Sequence, residues 1–473
     1  MSPLPDHCQV AIVGGGAAGT LVALRLLEAA TAPMRIVVLE PAATLGQGVA
    51  YATDRAEHVL NVPAGRMSLW PQRPGDFIDF LLADGQDEGE AQLAHRFAPR
   101  RDFARYLQQR LAQVRAGSMA TLEHRRLRAR SVERTAQGLL CATLEDGSQL
   151  QAEDIVLACG NALRPLPVRG AASLPASMRV DAWDLPALAR IPPQAAVAIV
   201  GTGLSMADTV LSLHAQGHTG PIHLLSRHGL LPLPHDPAHA RSTLLDTEAL
   251  LGEGLRARMR RVRAAARQAA RLDLPWQAVM DEVRPHVQAL WRSLGEADQR
   301  RFLRHVVRYW DIHRHRIAPH VHDLLHTLRA RGQLRVRAAR LELAMAQGRC
   351  LRLSAHDAHG HPFALDVDHV INATGVELRV QAMRNPLLEQ LQGCGLASPG
   401  AHGIGLDCQV DGRLRDAPGQ AQPDLHAIGS LRIGSLWESL AIPELRVQAG
   451  EIVGALIQKR VERNEERVGA GEE

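Results

Sequence analysis

The residues of this chain best suited to chemistry come as two glycine turns, each at the end of an apolar run. Val10-Ala11-Ile12-Val13 leads into Gly14-Gly15-Gly16-Ala17-Ala18-Gly19. Val197-Ala198-Ile199-Val200 leads into Gly201-Thr202-Gly203-Leu204-Ser205-Met206-Ala207. Each reads as a buried strand, a tight turn and a helix start. Such a turn suits a pyrophosphate: a side chain at Gly14 would block it, Gly16 lets backbone approach the phosphates, and Gly19 lets the helix pack on the strand. Free N–H groups at the helix start then face the phosphates. The competing reading of a single motif is a glycine turn in an α/β domain with no ligand. Two motifs in one chain suggest two nucleotides held close together, the geometry that a flavin reduced by a nicotinamide needs.

Downstream residues tell the two nucleotides apart. Arg35-Ile36-Val37-Val38-Leu39 is the next strand of the first unit and ends in Glu40, whose carboxylate suits an adenosine ribose. In the second unit Ile222-His223-Leu224-Leu225 ends in Ser226-Arg227-His228, with no carboxylate. A guanidinium there binds a 2′-phosphate through charge-assisted hydrogen bonds, which points to NADPH rather than NADH. The alternative for Arg227 is a surface arginine at a strand end. Met206 falls where a third glycine would stand, with Ala207 beside it as a small packing residue. FAD is therefore expected on Gly14, Gly16, Ala18, Gly19 and Glu40, with Val132, Gly160, Gly429 and Trp437 as further cofactor-binding residues and Arg66 near the flavin or the NADP phosphate. NADPH is expected on Gly201, Gly203, Ser205, Ser226 and Arg227. Arg66 reads equally well as a surface loop arginine.

These turns need an α/β scaffold, with two Rossmann-like dinucleotide-binding domains and a mostly helical insert. Residues 1–165 read as the first part of an FAD-binding domain, with Arg130-Ser131-Val132-Glu133 and Leu139 to Leu144 as strands of a β-meander. Residues 194–376 read as the NAD(P)H-binding domain, with the helical insert at 236–330. Residues 377–458 should rejoin the first domain, and 459–473 read as a frayed polar tail.

Composition narrows the function. Hydrophobic residues make up 46% and charged residues 22% of the 473, ordinary values for a globular protein. Aromatics are only 3%, too few for single-strand stacking platforms, and the net charge of +4 is mild. The arginines from Arg256 to Arg271 alternate with apolar residues at helical spacing, so a solvated helix face is favoured over a nucleic-acid site. Cys8, Cys141, Cys159, Cys350, Cys394 and Cys408 form no close pair, which argues against zinc and against a two-cysteine thiol reductase. Reduced thiols in a cytoplasmic protein are expected, with no metal, nucleic acid or membrane partner.

Taken together, Gly14-x-Gly16-x-x-Gly19, Ala158-Cys159-Gly160, Gly201-x-Gly203-x-Ser205 and Ala373-Thr374-Gly375 resemble the two-dinucleotide-binding flavoproteins. Asn61 to Ser68, Tyr309 to Arg316 and Leu436-Trp437-Glu438 through Pro443-Glu444 resemble a bacterial subgroup related to N-hydroxylating and other class B flavin monooxygenases. The resemblance covers roughly residues 8–458. Two positions depart from it: Cys159 stands where relatives often have Thr, and Ser430 where disulfide-reductase-like relatives place an Asp for the flavin ribityl chain.

The resemblance implies hydride transfer from NADPH to flavin N5, then dioxygen, a flavin C4a-hydroperoxide, and oxygenation of a small nitrogen or sulfur nucleophile such as an amino group. Two alternatives stay open: an NAD(P)H:acceptor oxidoreductase that inserts no oxygen, and a non-catalytic flavin-binding protein. Asp311, His313 and Arg314 are the candidate catalytic side chains, against the reading of a helix whose Tyr309 and Trp310 pack inward. His313, His315, His320 and His322 lack the spacing of a metal set.

Overall fold

The computed structural model describes residues 6–86, 89–236 and 242–469. The apolar run before the first glycine turn forms the strand Asp6–Val13, fully buried from Val10 to Ile12. It lies parallel between Arg35–Leu39 and Gln149–Leu157, with Val10 opposite Ile36 and Val13 opposite both Leu39 and Leu157. The first sheet runs Arg413–Arg415, Ala421–Ala427, Gln149–Leu157, Asp6–Val13, Arg35–Leu39 and Thr121–Arg125. The expected meander, Ala129–Arg134 with Leu140–Leu144, pairs antiparallel onto Gln149–Leu157.

The second sheet repeats the plan. Val197–Val200 lies parallel between Ile222–Ser226 and His369–Asn372. The long strand Leu334–Gln347 starts parallel to Ile222–Ser226 and continues into an antiparallel meander with Cys350–Asp357 and Pro362–Val367. Short connections and parallel strands covered by helices are what a doubly wound α/β domain requires.

Residues beyond 377 return to the first sheet as expected, through Ala421–Ala427 against Gln149–Leu157. The helix Ile442–Gly469 then packs on Ala17–Ala29, burying Ile452 and Leu456 in one cluster with Leu21 and Leu24. Each such side chain is worth about 1.5–3 kcal/mol. The expected frayed tail is corrected here. Lys459 donates to Asp154, which is fully buried, and Arg460 and Arg463 reach Glu153. These ion pairs carry the helix past the point where apolar periodicity stops. Residues 470–473 of that tail lie outside the described residues.

The insert is helical, with Leu255–Arg271, Trp276–Val283, Val287–Arg292, Val307–Arg314 and Pro319–Ala330 among its segments. It has its own apolar cluster of Leu255, Val283, Val287, Trp291 and Phe302. The two nucleotide domains are also pinned together. Arg100 makes a two-pronged contact with Asp208 at 2.8 and 3.0 Å, and the buried His58 bridges Thr53 and Ser212 at 2.9 and 2.8 Å.

Candidate nucleotide sites and the cavity beside them

The first turn has the strain that its sequence demands. Gly14 sits at φ +106°, and a Cβ there would lie 2.2 Å from the carbonyl oxygen of Ala158. A Cβ on Gly19 would lie 1.9 Å from the Gly14 oxygen. Helix Ala17–Ala29 starts with no side-chain cap and no acid in its first turn, so its N-terminal N–H groups and positive dipole end favour an anion. Glu40 is held at the strand end: one oxygen accepts the Gly15 N–H at 2.8 Å, the other the Ala42 N–H at 2.9 Å. That grip orients the carboxylate a ribose would need. The return segment closes this site from the far side. A Cβ on Gly429 would stand 3.5 Å from the Ala18 methyl, and the Ser430 hydroxyl donates to the Gly160 carbonyl. Ser430 thus ties two loops together, where an Asp in relatives would hold a ribityl chain.

The second turn reproduces the first. Gly201 also sits at φ +106°, and a Cβ there would lie 2.1 Å from the Ala373 oxygen. Gly203 faces open space, with nothing within 4 Å of its Cβ position. Met206 is fully buried and fills the place of the third glycine. Ser226 accepts the Gly229 N–H at 3.0 Å and shapes the strand end, and the Ser205 oxygen accepts from Trp183 Nε1 at 3.3 Å. Arg227 lies in a concentration of positive charge. Burial, and then Arg308, Arg164 and Arg340, hold its guanidinium below the usual range. Arg308 is offset by Asp311 and Arg164 by Glu377, whereas Arg227 and Arg340 have no acid partner among the described residues. Two unneutralised guanidiniums within electrostatic reach of each other would suit a doubly charged phosphate.

A cavity of about 1100 Å³ opens where the first domain, the insert and the return segment meet. The first domain contributes Arg66 and Ser68, the segment leading into the insert His235, the insert Asp281 and Arg284, and the return segment Glu438, Glu444 and Arg446. Leu445, between Glu444 and Arg446, comes within 3.4 Å of the Gly429 Cβ position, which also lies 3.5 Å from the Ala18 methyl. His235 is held by a hydrogen bond between Nε2 and the Asn61 carbonyl at 2.9 Å, and burial pushes its imidazole down to about 4. It therefore stays neutral at physiological pH.

Residues 11–162 match the FAD-NAD(P)-binding family model. In solved structures the whole chain shares its fold with L-lysine 6-monooxygenase from Pseudomonas syringae, at TM-score 0.65 and 18% identity over 96% of this chain and 99% of that one. Ornithine N-hydroxylase from Kutzneria sp. 744, solved with reduced FAD, NADP+ and L-ornithine, aligns at TM-score 0.64 and 17% identity over 96% and 100%. Bacillithiol disulfide reductase from Staphylococcus aureus aligns at TM-score 0.55 and 12% identity over 96% and 99%. A search of curated protein sequences returns no match. The fold is that of flavoproteins with two dinucleotide-binding domains.

Three residues expected at the cofactors make other contacts. The Val132 side chain is fully buried; its N–H donates to Gln390 Oε1 at 2.9 Å and its C=O accepts from Gln390 Nε2 at 3.1 Å. The glutamine of a packed helix takes up the strand edge that a base would use. Trp437 is a packing residue: its indole stacks on Trp291 at 5.0 Å and meets the Phe302 ring edge-on. Arg66 faces the cavity with a half-exposed guanidinium 3.5 Å from Asp281.

The candidate catalytic trio does not converge. Asp311 pairs with Arg308 at 3.0 Å, and burial raises its carboxyl. His313 turns back to the Tyr309 carbonyl and sits edge-on to Trp276. Only Arg314 reaches the cavity wall, through Glu438. Residues 313, 315, 320 and 322 form no metal set, and no group of three or more ligating residues occurs among the described residues. Sequence reasoning missed Arg340 and Glu438. Arg340 lies on the strand paired with Ser226 through Ala338, a neighbour that only sheet register supplies.

Proposed function

We propose that this chain is an FAD-dependent, NADPH-reduced monooxygenase that oxygenates a nitrogen of a small amine. The observation that carries the reading is the duplicated turn: two glycines at the same φ of +106°, each pressed on the carbonyl that ends a neighbouring strand, with a carboxylate after one and unpaired arginines after the other. Glu40 and the N-terminus of Ala17–Ala29 would hold FAD, and Arg227 with Arg340 the 2′-phosphate of NADPH. Bound flavin would supply the redox chemistry. The chain's own part is to place the nicotinamide, to fix the substrate nitrogen and to keep water out. The likeness to lysine and ornithine hydroxylases supports the amine class. The cytoplasm is the proposed compartment: all six cysteines are free.

The likeness to a disulfide reductase favours one other reading, electron transfer to an acceptor without oxygen insertion. Cys8, Cys159 and Cys408 are poor candidates for thiol exchange, since burial pushes each thiol up to about 12. The decisive experiment supplies NADPH, dioxygen and a panel of small amines, then measures hydroxylated product per NADPH consumed. Product formation supports the monooxygenase. Amine-independent NADPH oxidation with electrons passed to a quinone supports the acceptor reading.

A further inference from the structure

Glu438 is held in place at measurable expense. Trp437 before it has φ 61° and ψ −57°, and the Glu438 N–H donates to the Leu436 carbonyl at 2.8 Å, closing a three-residue turn with positive φ. Such a turn at a bulky residue is strained. The surroundings enforce it. Trp437 stacks on Trp291, whose indole N–H donates to the Gly434 carbonyl, and Gln288 donates to the Glu438 carbonyl at 3.1 Å. The turn carries the Glu438 side chain to the cavity wall, where it is only 8% exposed.

The carboxylate is half satisfied there. Its Oε2 takes Arg314 Nε at 2.8 Å and NH2 at 2.6 Å, while Oε1 is buried with no hydrogen bond. Glu444 shows the same asymmetry: Oε1 lies 3.2 Å from Arg284 and 3.6 Å from Arg314, and Oε2 has no partner. The two guanidiniums balance these two carboxylates. The rest of the charged lining includes Asp281, which pairs with Arg66 and with Arg316, together with Glu282 and Arg446. Glu282 is met by the backbone N–H groups of Leu244 and Leu245.

We infer that Glu438, with Glu444 beside it, anchors a cationic nitrogen of the substrate at this cavity wall. The inference deepens the proposed amine oxygenation and assigns the specificity to Glu438. A buried carboxylate oxygen without a donor is costly, and an N⁺–H donor satisfies it with about twice the strength of a neutral one. The anchored nitrogen remains protonated. It is therefore distinct from the nitrogen that reacts as the free base.

The test is binding to FAD-loaded protein, read as perturbation of the flavin spectrum and as thermal shift, with putrescine, butanediol and succinate as probes. Wild type should bind putrescine and ignore the diol. Glu438→Gln keeps an oxygen for Arg314 and should weaken putrescine about tenfold to a hundredfold. Its FAD content should match that of wild type. Glu438→Asp should lose part of the affinity, because the charge is kept but drawn back. Putrescine binding equal in Glu438→Gln and wild type overturns the inference, as does a wild type that prefers succinate or binds no putrescine. Loss of FAD in both variants also overturns it, by making Glu438 a structural residue. Putrescine that binds through Glu438 but yields no hydroxylated product leaves the anchor standing and removes the monooxygenase reading instead.

Discussion

Single glycines and arginines carry most of what the two nucleotide sites require. Gly14→Val places a branched side chain 2.2 Å from a backbone oxygen at a φ that only glycine adopts readily. The purified variant should be colourless and should not take up added FAD, as judged by absorbance. Arg227→Ala removes one of two unpaired guanidiniums. NADPH binding should weaken by about 1.5–3 kcal/mol, roughly tenfold to a hundredfold, with NADH little changed. Rates of flavin reduction with both nucleotides check this, and a retained NADPH preference would transfer the role to Arg340.

Among the elements, the last helix shows how one polar contact extends a packing surface. Asp154 is fully buried on a central strand, and Lys459 is its cation. Burial raises the Asp154 carboxyl, with Lys459 pulling the other way. Lys459→Met should destabilise the protein by about 3–5 kcal/mol, since one partner of a buried pair is removed. The pH dependence has a definite sign. A carboxyl whose folded pKa lies above its unfolded value is most stabilising below the unfolded value, near pH 4, and loses that contribution as pH rises. The deficit of Lys459→Met should therefore grow between about pH 4 and 7 in denaturant titrations, and Asp154→Asn in the same background should recover part of it.

At the scale of the whole molecule, the contacts between the two domains would govern hydride transfer in the proposed reaction. Arg100 and Asp208 are mostly buried, at 15% and 20% exposure, and join the first domain to the helix that follows the second glycine turn. Arg100→Ala should leave FAD content and NADPH affinity nearly intact. Flavin reduction in stopped flow should slow on the order of tenfold to a hundredfold, because a small displacement of the reacting groups is enough. His58 in the same interface is buried, and that burial holds its imidazole below the usual range. A group with a depressed folded pKa that is neutral when folded contributes fully above about pH 6.5 and less as pH falls. Below that value the interface should loosen, and His58→Gln should flatten the pH dependence of thermal stability between about pH 5 and 7.

Local order in the sequence was enough for the nucleotide turns, their strands and the return of the chain to the first sheet. Strand, glycine turn, helix and discriminating residue are contiguous, and their geometry follows from steric exclusion within a few residues. Glu40 and Arg227 stood out in the sequence because each follows the strand next to its turn. Distant pairings decided the rest. Val132 looked available until Gln390, more than two hundred residues away, covered its backbone. Trp437 looked like a cofactor contact, and the insert turned it into the support for a strained turn. The polar tail became a helix because a buried carboxylate waited for Lys459. The cavity has walls from three segments far apart in the chain, and no periodicity within one segment encodes which charged groups meet there. Arg314 was singled out, but its partner Glu438, the residue with an unsatisfied oxygen, emerged only when the insert and the return segment came together.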